Sequence, residues 1–443
     1  MGEVQLADAL VQVLARIEEE RDAILGLLRQ MIRLQPEGED SIQAFAAERM
    51  RGAGANVEQV TYRPMDVPMV AEFAATPNQA SEPRRSIVGR FPPGAAGGRS
   101  VILFAHPDGE EIAGTGQWTR PPFEGVIEDG RIYGWGVADD LAGVAIMVAA
   151  MEAIHRCGVR LAGEVLIAST PSKRHARGVA ALLHRGYEAD ASIYMHPAES
   201  GAGMQEIKAL ASGQLEFTVT VTGRKPPTTE PGHTAFAHLG VNPLDKLRIV
   251  TDALHRLDEE RAAHIHHPLL DGAVGRSTNI LISYVSCGQN RAFSRMPIEA
   301  VMGAAVSFPP GIPIGEVQQE VTRAIGDAAA ADPWLAENPP AIRWVSGVTG
   351  AEVSDTHPLY RAVAAAIGDV CGVAPHVNAL HTSSDIRHPM VQKGIPTVGL
   401  GPLCGNLTQT GRHDEWVDAE DYLRAVKVTA ASIIRWCGTA PMP

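Results

Sequence analysis

The sequence predicts an α/β fold: a mainly parallel central sheet with helices on both faces, plus an inserted α/β sandwich domain. Three observations predict it. First, VILFAH (101–106), EVLIAST (164–170) and ASIYMH (191–196) are short, almost wholly apolar runs, as strands covered on both faces read. Helical stretches alternate with them. Second, the texture changes near residue 213, where QLEFTVTVTG (214–223) alternates apolar and polar residues and so predicts a strand with one solvated face. Third, the buried-sheet pattern returns after roughly residue 350. The chain therefore divides into a discontinuous main domain, 1–212 and 349–443, and an inserted domain, 213–348.

In chain order, residues 7–34 carry Leu10, Leu14, Ile17, Ile24, Leu27, Leu28 and Ile32 at helical spacing, so one amphipathic helix is expected there. SIVGRF (86–91) is a strand. AGVAIMVAAMEAIHRCG (142–158) is a helix whose small residues permit close packing on a sheet, and GVAALLHRG is another. In the insert, PLDKLRIVTDALHRLDEE and IGEVQQEVTRAIGDAAAA are helices, and STNILISYVSC and IEAVMGAAVSF are strands. Afterwards come the helix HPLYRAVAAAIGDV, the strand GIPTVGLG and the helix AEDYLRAVKVTAASIIRWC. No internal repeat is evident.

Hydrophobic residues make up 45% and charged residues 20% of 443, which excludes wholesale disorder. The formal charge of −13 repels phosphate backbones, so no nucleic-acid partner is expected. The five cysteines are widely spaced and none forms CxxC, which fits a reducing compartment rather than a disulfide scaffold. The N-terminus lacks the basic start and cleavage site of a signal peptide, and no run of 18 apolar residues exists. A cytoplasmic protein without a membrane span is expected.

Four segments carry chemistry. His106 and Asp108 stand just past the carboxyl end of a buried strand, where ligands of open α/β sheets collect. A His there can bind a metal through one ring nitrogen while a neighbour fixes the other. Asp139 and Asp140 follow the turn DGRIYGWGVA at the start of a helix; an isolated pair of this kind is usually a helix cap. His196 ends a third strand, with Glu199 close behind. Arg387 lies in HTSSDIRHPM, and His413 and Glu415 lie between a strand and the last helix. Each alone is more often a capping or surface feature. Together they place His, Asp and Glu after several strands of one sheet, which suits a metal with imidazole and carboxylate ligands.

The ordered set HPD, PPF…EDGRIYGWGVADD, HP, SSDIR, GIPTVGLGP and HDEW resembles, over essentially the whole chain, one family of metal-dependent hydrolases. It includes acetylornithine deacetylase, succinyl-diaminopimelate desuccinylase, aminoacylase and carboxypeptidase G. The resemblance implies a zinc-exopeptidase-like fold and a dimerisation role for the insert, hence a homodimer or higher homo-oligomer. It implies a first metal held by His106, Asp139 and the residue at 196, and a second held by Asp139, the second Glu of a Glu pair and His413. His233, in GHTAFAHLGVNPLDKL, matches a His that reaches a neighbouring subunit's active site. Arg387 would meet a carboxylate of a small anionic substrate, for which an Arg fork is suited.

Departures from the family pattern shape the expected chemistry. The segment that should carry the Glu pair reads STPSKRHARGVAAL, so Lys173 and Arg174 stand where the general base and a second-site ligand belong. The strand-end acid is replaced by His196, a competent neutral ligand. One divalent metal per chain is expected, and the ligand types allow Mn, Zn, Co or Fe. Amide hydrolysis needs a group that moves protons to and from water and the leaving amine. Glu110, Glu111 or Glu199 could take over that task, or Lys173 and Arg174 could simply point to solvent. Alternatively the substrate is easier to attack, as an electron-poor amino-substituted ring is. A divergent member of the family, an aminohydrolase of 5-nitroanthranilic acid, performs such chemistry. The leading expectation is hydrolysis of a C–N bond of that kind. The alternatives are an N-acyl amino acid deacylase or dipeptidase with a relocated base, and a non-catalytic relative that retains the fold.

Overall fold

The computed structural model describes residues 2–74, 82–109, 115–173, 175–195, 198, 200–230, 232–380, 384–405 and 413–441. The chain forms two compact units: Met1–Val70, Pro77–Ala211 and Glu352–Pro443 make the first, and Ala71–Thr76 with Ser212–Ala351 the second.

The first unit is built on a six-stranded sheet. In spatial order its strands are Asn56–Tyr62, Arg84–Phe91, Val165–Ser169, Val101–Ala105, Ala191–Met195 and Thr397–Leu400. The last four run parallel, and the first two form an antiparallel edge. Period-two alternation sends the side chains of one strand to opposite faces. Val101, Leu103 and Ala105 enter one apolar core with the helices Ala142–Arg156 and Ala419–Cys437. Ile102 and Phe104 enter another with Val179, Leu182 and Leu183 of the helix Gly178–Leu183. Burial on both faces is why these strands lack polar positions. The parallel strands end together at Ala105, Ser169, Met195 and Leu400, so the loops that follow them emerge at one edge of the sheet.

The N-terminal region differs from the single helix expected over 7–34. It forms two helices, Gly2–Glu19 and Arg21–Leu34, with the break at Glu20. No Gly or Pro lies at the break. Tertiary packing overrides the helical pattern, because Val13 and Ile17 before Glu20, and Ile24, Leu27 and Leu28 after it, are all buried in one core.

The second unit is an antiparallel five-stranded sheet in the order Asn279–Cys287, Glu299–Phe308, Gly213–Thr222, Ala341–Val348 and Glu72–Ala74. Leu215, Phe217, Val219 and Val221 alternate onto the face covered by Leu247, Val250 and Leu254 of the helix Pro243–His264, and by Val317, Val321 and Ile325 of the helix Ile314–Ala330. The strand Glu72–Ala74 was not anticipated in this unit. Its three residues pair with Ser346–Val348 although they precede the second strand of the other sheet in the chain.

Candidate metal centre

His106 directly follows the strand Val101–Ala105 and is buried. Its Nδ1 lies 2.9 Å from the backbone carbonyl of Asp108. A carbonyl only accepts, so Nδ1 carries the proton, and the tautomer leaves Nε2 as the electron-pair donor. Nε2 lies 3.0 Å from Oδ1 of Asp139. Two acceptors at that distance need a cation. A shared proton meets the need by raising the His106 ring to about 10: burial by itself favours the neutral ring, but the Asp139 hydrogen bond and the charges of Asp139, Asp140 and Asp108 outweigh it. A divalent ion in place of that proton suits the same imidazole–carboxylate pair.

Asp139 is held below the usual carboxylate range, because His106 and Lys173 outweigh the opposing effect of burial. It sits in a wide turn, Val137–Leu141, that leads into the helix Ala142–Arg156. Neither aspartate caps that helix through its side chain. Asp140 is buried, its carboxyl pushed well up by burial, and Oδ2 accepts from the His106 backbone N–H at 3.3 Å.

Glu415 clamps the Asp139 turn. Its carboxylate accepts from the N–H groups of Gly136 at 2.9 Å, Ala138 at 2.8 Å and Asp139 at 3.3 Å. The approach needs Gly136 in a left-handed conformation, φ 59°. A small antiparallel sheet brings the partners together: Val126–Glu128 and Arg131–Tyr133 form a hairpin across Asp129 and Gly130, and Trp416–Asp418 pairs with its inner strand. Burial pushes the Glu415 carboxyl up to about 8 despite these donors.

Lys173 does not point to solvent. Its Nζ forms an ion pair with Oδ2 of Asp139, and both side chains are only 13% exposed. The loop carrying it is anchored twice. Asp108 accepts from the backbone N–H groups of Ser172 at 2.8 Å and Lys173 at 3.1 Å, and the Ser172 hydroxyl donates to Asp385 at 2.9 Å. Asp385 is held below the usual carboxylate range, burial opposing and His388 and Arg387 prevailing.

The remaining predicted residues fall as follows. Arg387 is buried in the first turn of the helix Arg387–Lys393; its guanidinium donates to the Ser384 carbonyl at 3.0 Å and lies 3.6 Å from Asp385. The expected substrate fork is thus partly engaged by its own loop. His413 is exposed in a turn, and the group of that segment that reaches the Asp139 turn is Glu415, which the sequence placed beside His413 as a candidate carboxylate without assigning it to the turn. His233 belongs to the second unit, where its Nδ1 accepts from the Ala235 N–H at 3.1 Å. His196, Glu199, Glu110, Glu111 and Arg174 lie outside the described residues. Among the described residues, no group of three His, Cys, Asp or Glu side chains converges as a metal cage.

The model of Peptidase family M20/M25/M40 matches residues 102–435. The chain is 22% identical over 445 aligned positions to N-formyl-4-amino-5-aminomethyl-2-methylpyrimidine deformylase of Halalkalibacterium halodurans, covering 96% of this chain and 97% of the relative. It is 27% identical to succinyl-diaminopimelate desuccinylase of Alkalilimnicola ehrlichii, over 73% of this chain and 81% of the relative. The solved dipeptidase Dug1p of Saccharomyces cerevisiae superposes with a TM-score of 0.66 at 15% identity, covering 97% of this chain and 98% of that one. This last likeness shows the fold alone. The chain belongs to Peptidase family M20/M25/M40 and is a metal-dependent hydrolase acting on a C–N bond. Among the described residues, no helix is long and apolar enough to cross a membrane.

Proposed function

We propose that the chain hydrolyses the amine from an electron-poor aromatic carboxylate, with the conversion of 5-nitroanthranilate and water to 5-nitrosalicylate and ammonia as the specific case. The observation that carries this reading is the Lys173 ammonium on Asp139, at the position where a peptidase of this pattern needs a proton-accepting carboxylate. An ammonium cannot accept a proton, but it favours negative charge that develops on a substrate. In such a reaction water oxygen bonds to the ring carbon that carries nitrogen. The electron pair moves into the ring and its nitro group, then returns as the C–N bond breaks; of the two water protons one stays on the new hydroxyl and the other goes to the departing amino nitrogen, which leaves as ammonia.

His106 and Asp139, with His196 from the sequence reading, would hold one divalent ion (Mn, Zn, Co or Fe), which supplies water activation and positive charge. Asp108 keeps the His106 Nε2 lone pair turned inward through the Asp108 carbonyl, and Glu415 fixes the Asp139 turn. Arg387 would meet the substrate carboxylate on exchanging part of its contact with Asp385.

A second reading, an N-acyl hydrolase with its base relocated to Glu111 or Glu199, is favoured by the names of the two sequence relatives, both of which remove acyl groups. One assay separates the two. Protein stripped with chelator and reloaded with Mn, Zn or Co is offered 2-aminobenzoates with and without a nitro group, and N-formyl, N-acetyl and N-succinyl amino acids. Ammonia release from the nitro-activated ring alone is expected. Turnover of the N-acyl amino acids with no ammonia from any aminobenzoate overturns the aromatic reading and establishes the deacylase.

A further inference from the structure

We propose that the Lys173 ammonium stands in for a second divalent ion at Asp139, so that the centre operates with one metal ion and one built-in organic cation. The proposal rests on the reading that His106 and Asp139 hold a divalent ion. A carboxylate that bridges two cations gives one oxygen to each. Asp139 is divided in this way: Oδ1 faces Nε2 of His106 at 3.0 Å, and Oδ2 receives Nζ of Lys173. A second divalent ion at Oδ2 would meet a like charge at contact distance in a largely buried site, where screening is weak.

The ammonium is brought there by design of the loop rather than by a chance side-chain conformation. The two backbone N–H groups of Ser172 and Lys173 bind opposite oxygens of Asp108, and the Ser172 hydroxyl binds Asp385. Asp108 in turn is the residue whose carbonyl orients His106. One short segment, His106–Asp108, therefore sets both the imidazole on one side of Asp139 and the ammonium on the other.

The test is metal binding on the full chain, stripped with chelator and titrated with Mn²⁺ under equilibrium dialysis. Bound metal is counted by elemental analysis and its environment read by electron paramagnetic resonance. The wild type is expected to take one equivalent per chain with the spectrum of an isolated ion. Lys173→Met removes a positive charge beside the site and frees Oδ2, so its first equivalent should bind at least about tenfold more tightly. Lys173→Arg keeps the charge and should stay within about threefold of wild type. Two equivalents with an exchange-coupled spectrum in the wild type overturn the proposal. So does unchanged or weaker affinity in Lys173→Met, which makes Lys173 a clamp on Asp139 instead. If Lys173→Met does not fold, Lys173→Gln gives the same comparison. No outcome depends on turnover, so failure here and failure of the aromatic reading are separate results.

Discussion

Lys208 illustrates how much one side chain can cost. It is 1% exposed, beside the strand Thr397–Leu400, with its backbone paired to Gly399. Its Nζ has no hydrogen-bond partner among the described residues. Burial pushes the amine down to about 7, and the charge of Glu206 only partly offsets this. Burial also raises Glu206, whose carboxylate accepts from Ser200 at 2.6 Å and Asn378 at 2.8 Å, so each member of the pair offsets the other's burial only in part. Between the lowered folded value and the ordinary value of about 10.5, the unfolded chain binds a proton that the folded chain does not, so folding stability rises with pH in that window. Lys208→Met is therefore expected to stabilise the protein at pH 7 by on the order of 1–3 kcal/mol. The gain should shrink as pH is raised from 7 towards 10. Urea unfolding of both chains across that range is the measurement, and a gain that grows with pH would contradict the assignment.

At the scale of elements, the helix Ala142–Arg156 lies against the ends of two sheet strands with almost no space between. A Cβ added at Gly143 would come within 2.5 Å of Oδ1 of Asp140, 2.7 Å of Cβ of Met195 and 3.0 Å of Cβ of Ala105. The two Cβ atoms move only with their backbones, and the Asp140 carboxylate is buried and hydrogen-bonded to the His106 N–H. Gly143→Ala is thus expected to destabilise by about 1–3 kcal/mol through overpacking. Because Asp140 holds the His106 backbone, the same change should also weaken Mn²⁺ binding, measured by dialysis on protein that remains folded. An exposed change at the far end of the same helix, Arg156→Ala, should alter neither metal affinity nor, by more than about 0.5 kcal/mol, stability beyond its ion pairs. The small sheet that joins Arg131–Tyr133 to Trp416–Asp418 explains why Glu415 counts although it lies 276 residues from Asp139: the Gly134 N–H donates to the Glu415 carbonyl at 3.0 Å, and the carboxylate then reaches the turn.

At the scale of the whole molecule, the second unit ends in the edge strand Asn279–Cys287, which has a neighbour on one side only among the described residues. Leu281, Tyr284 and Val285 on it are more than half exposed, and Phe293 just beyond is 89% exposed. An open apolar edge invites pairing with another chain. A second copy of this chain would satisfy it, and the expected outcome in sedimentation is a dimer or larger closed assembly that Leu281→Lys with Tyr284→Glu converts to monomer. A wild type that sediments as a monomer at micromolar concentration would contradict this. The sequence by itself determined the family and the alternation that makes the main sheet, and it placed His106 just past a strand and Asp139 just before a helix, because these depend on local periodicity and on short motifs. It also showed that a lysine stands where an acid was expected. Only the tertiary structure decided where that lysine points, that Glu415 rather than His413 reaches the Asp139 turn, that Arg387 is engaged by its own loop, and that Glu72–Ala74 joins the other sheet. Arg387 apart, which binds within its own loop, the deciding contacts are hydrogen bonds and ion pairs between segments distant in sequence, and no local pattern of residues encodes which distant partner the folded backbone will bring into contact.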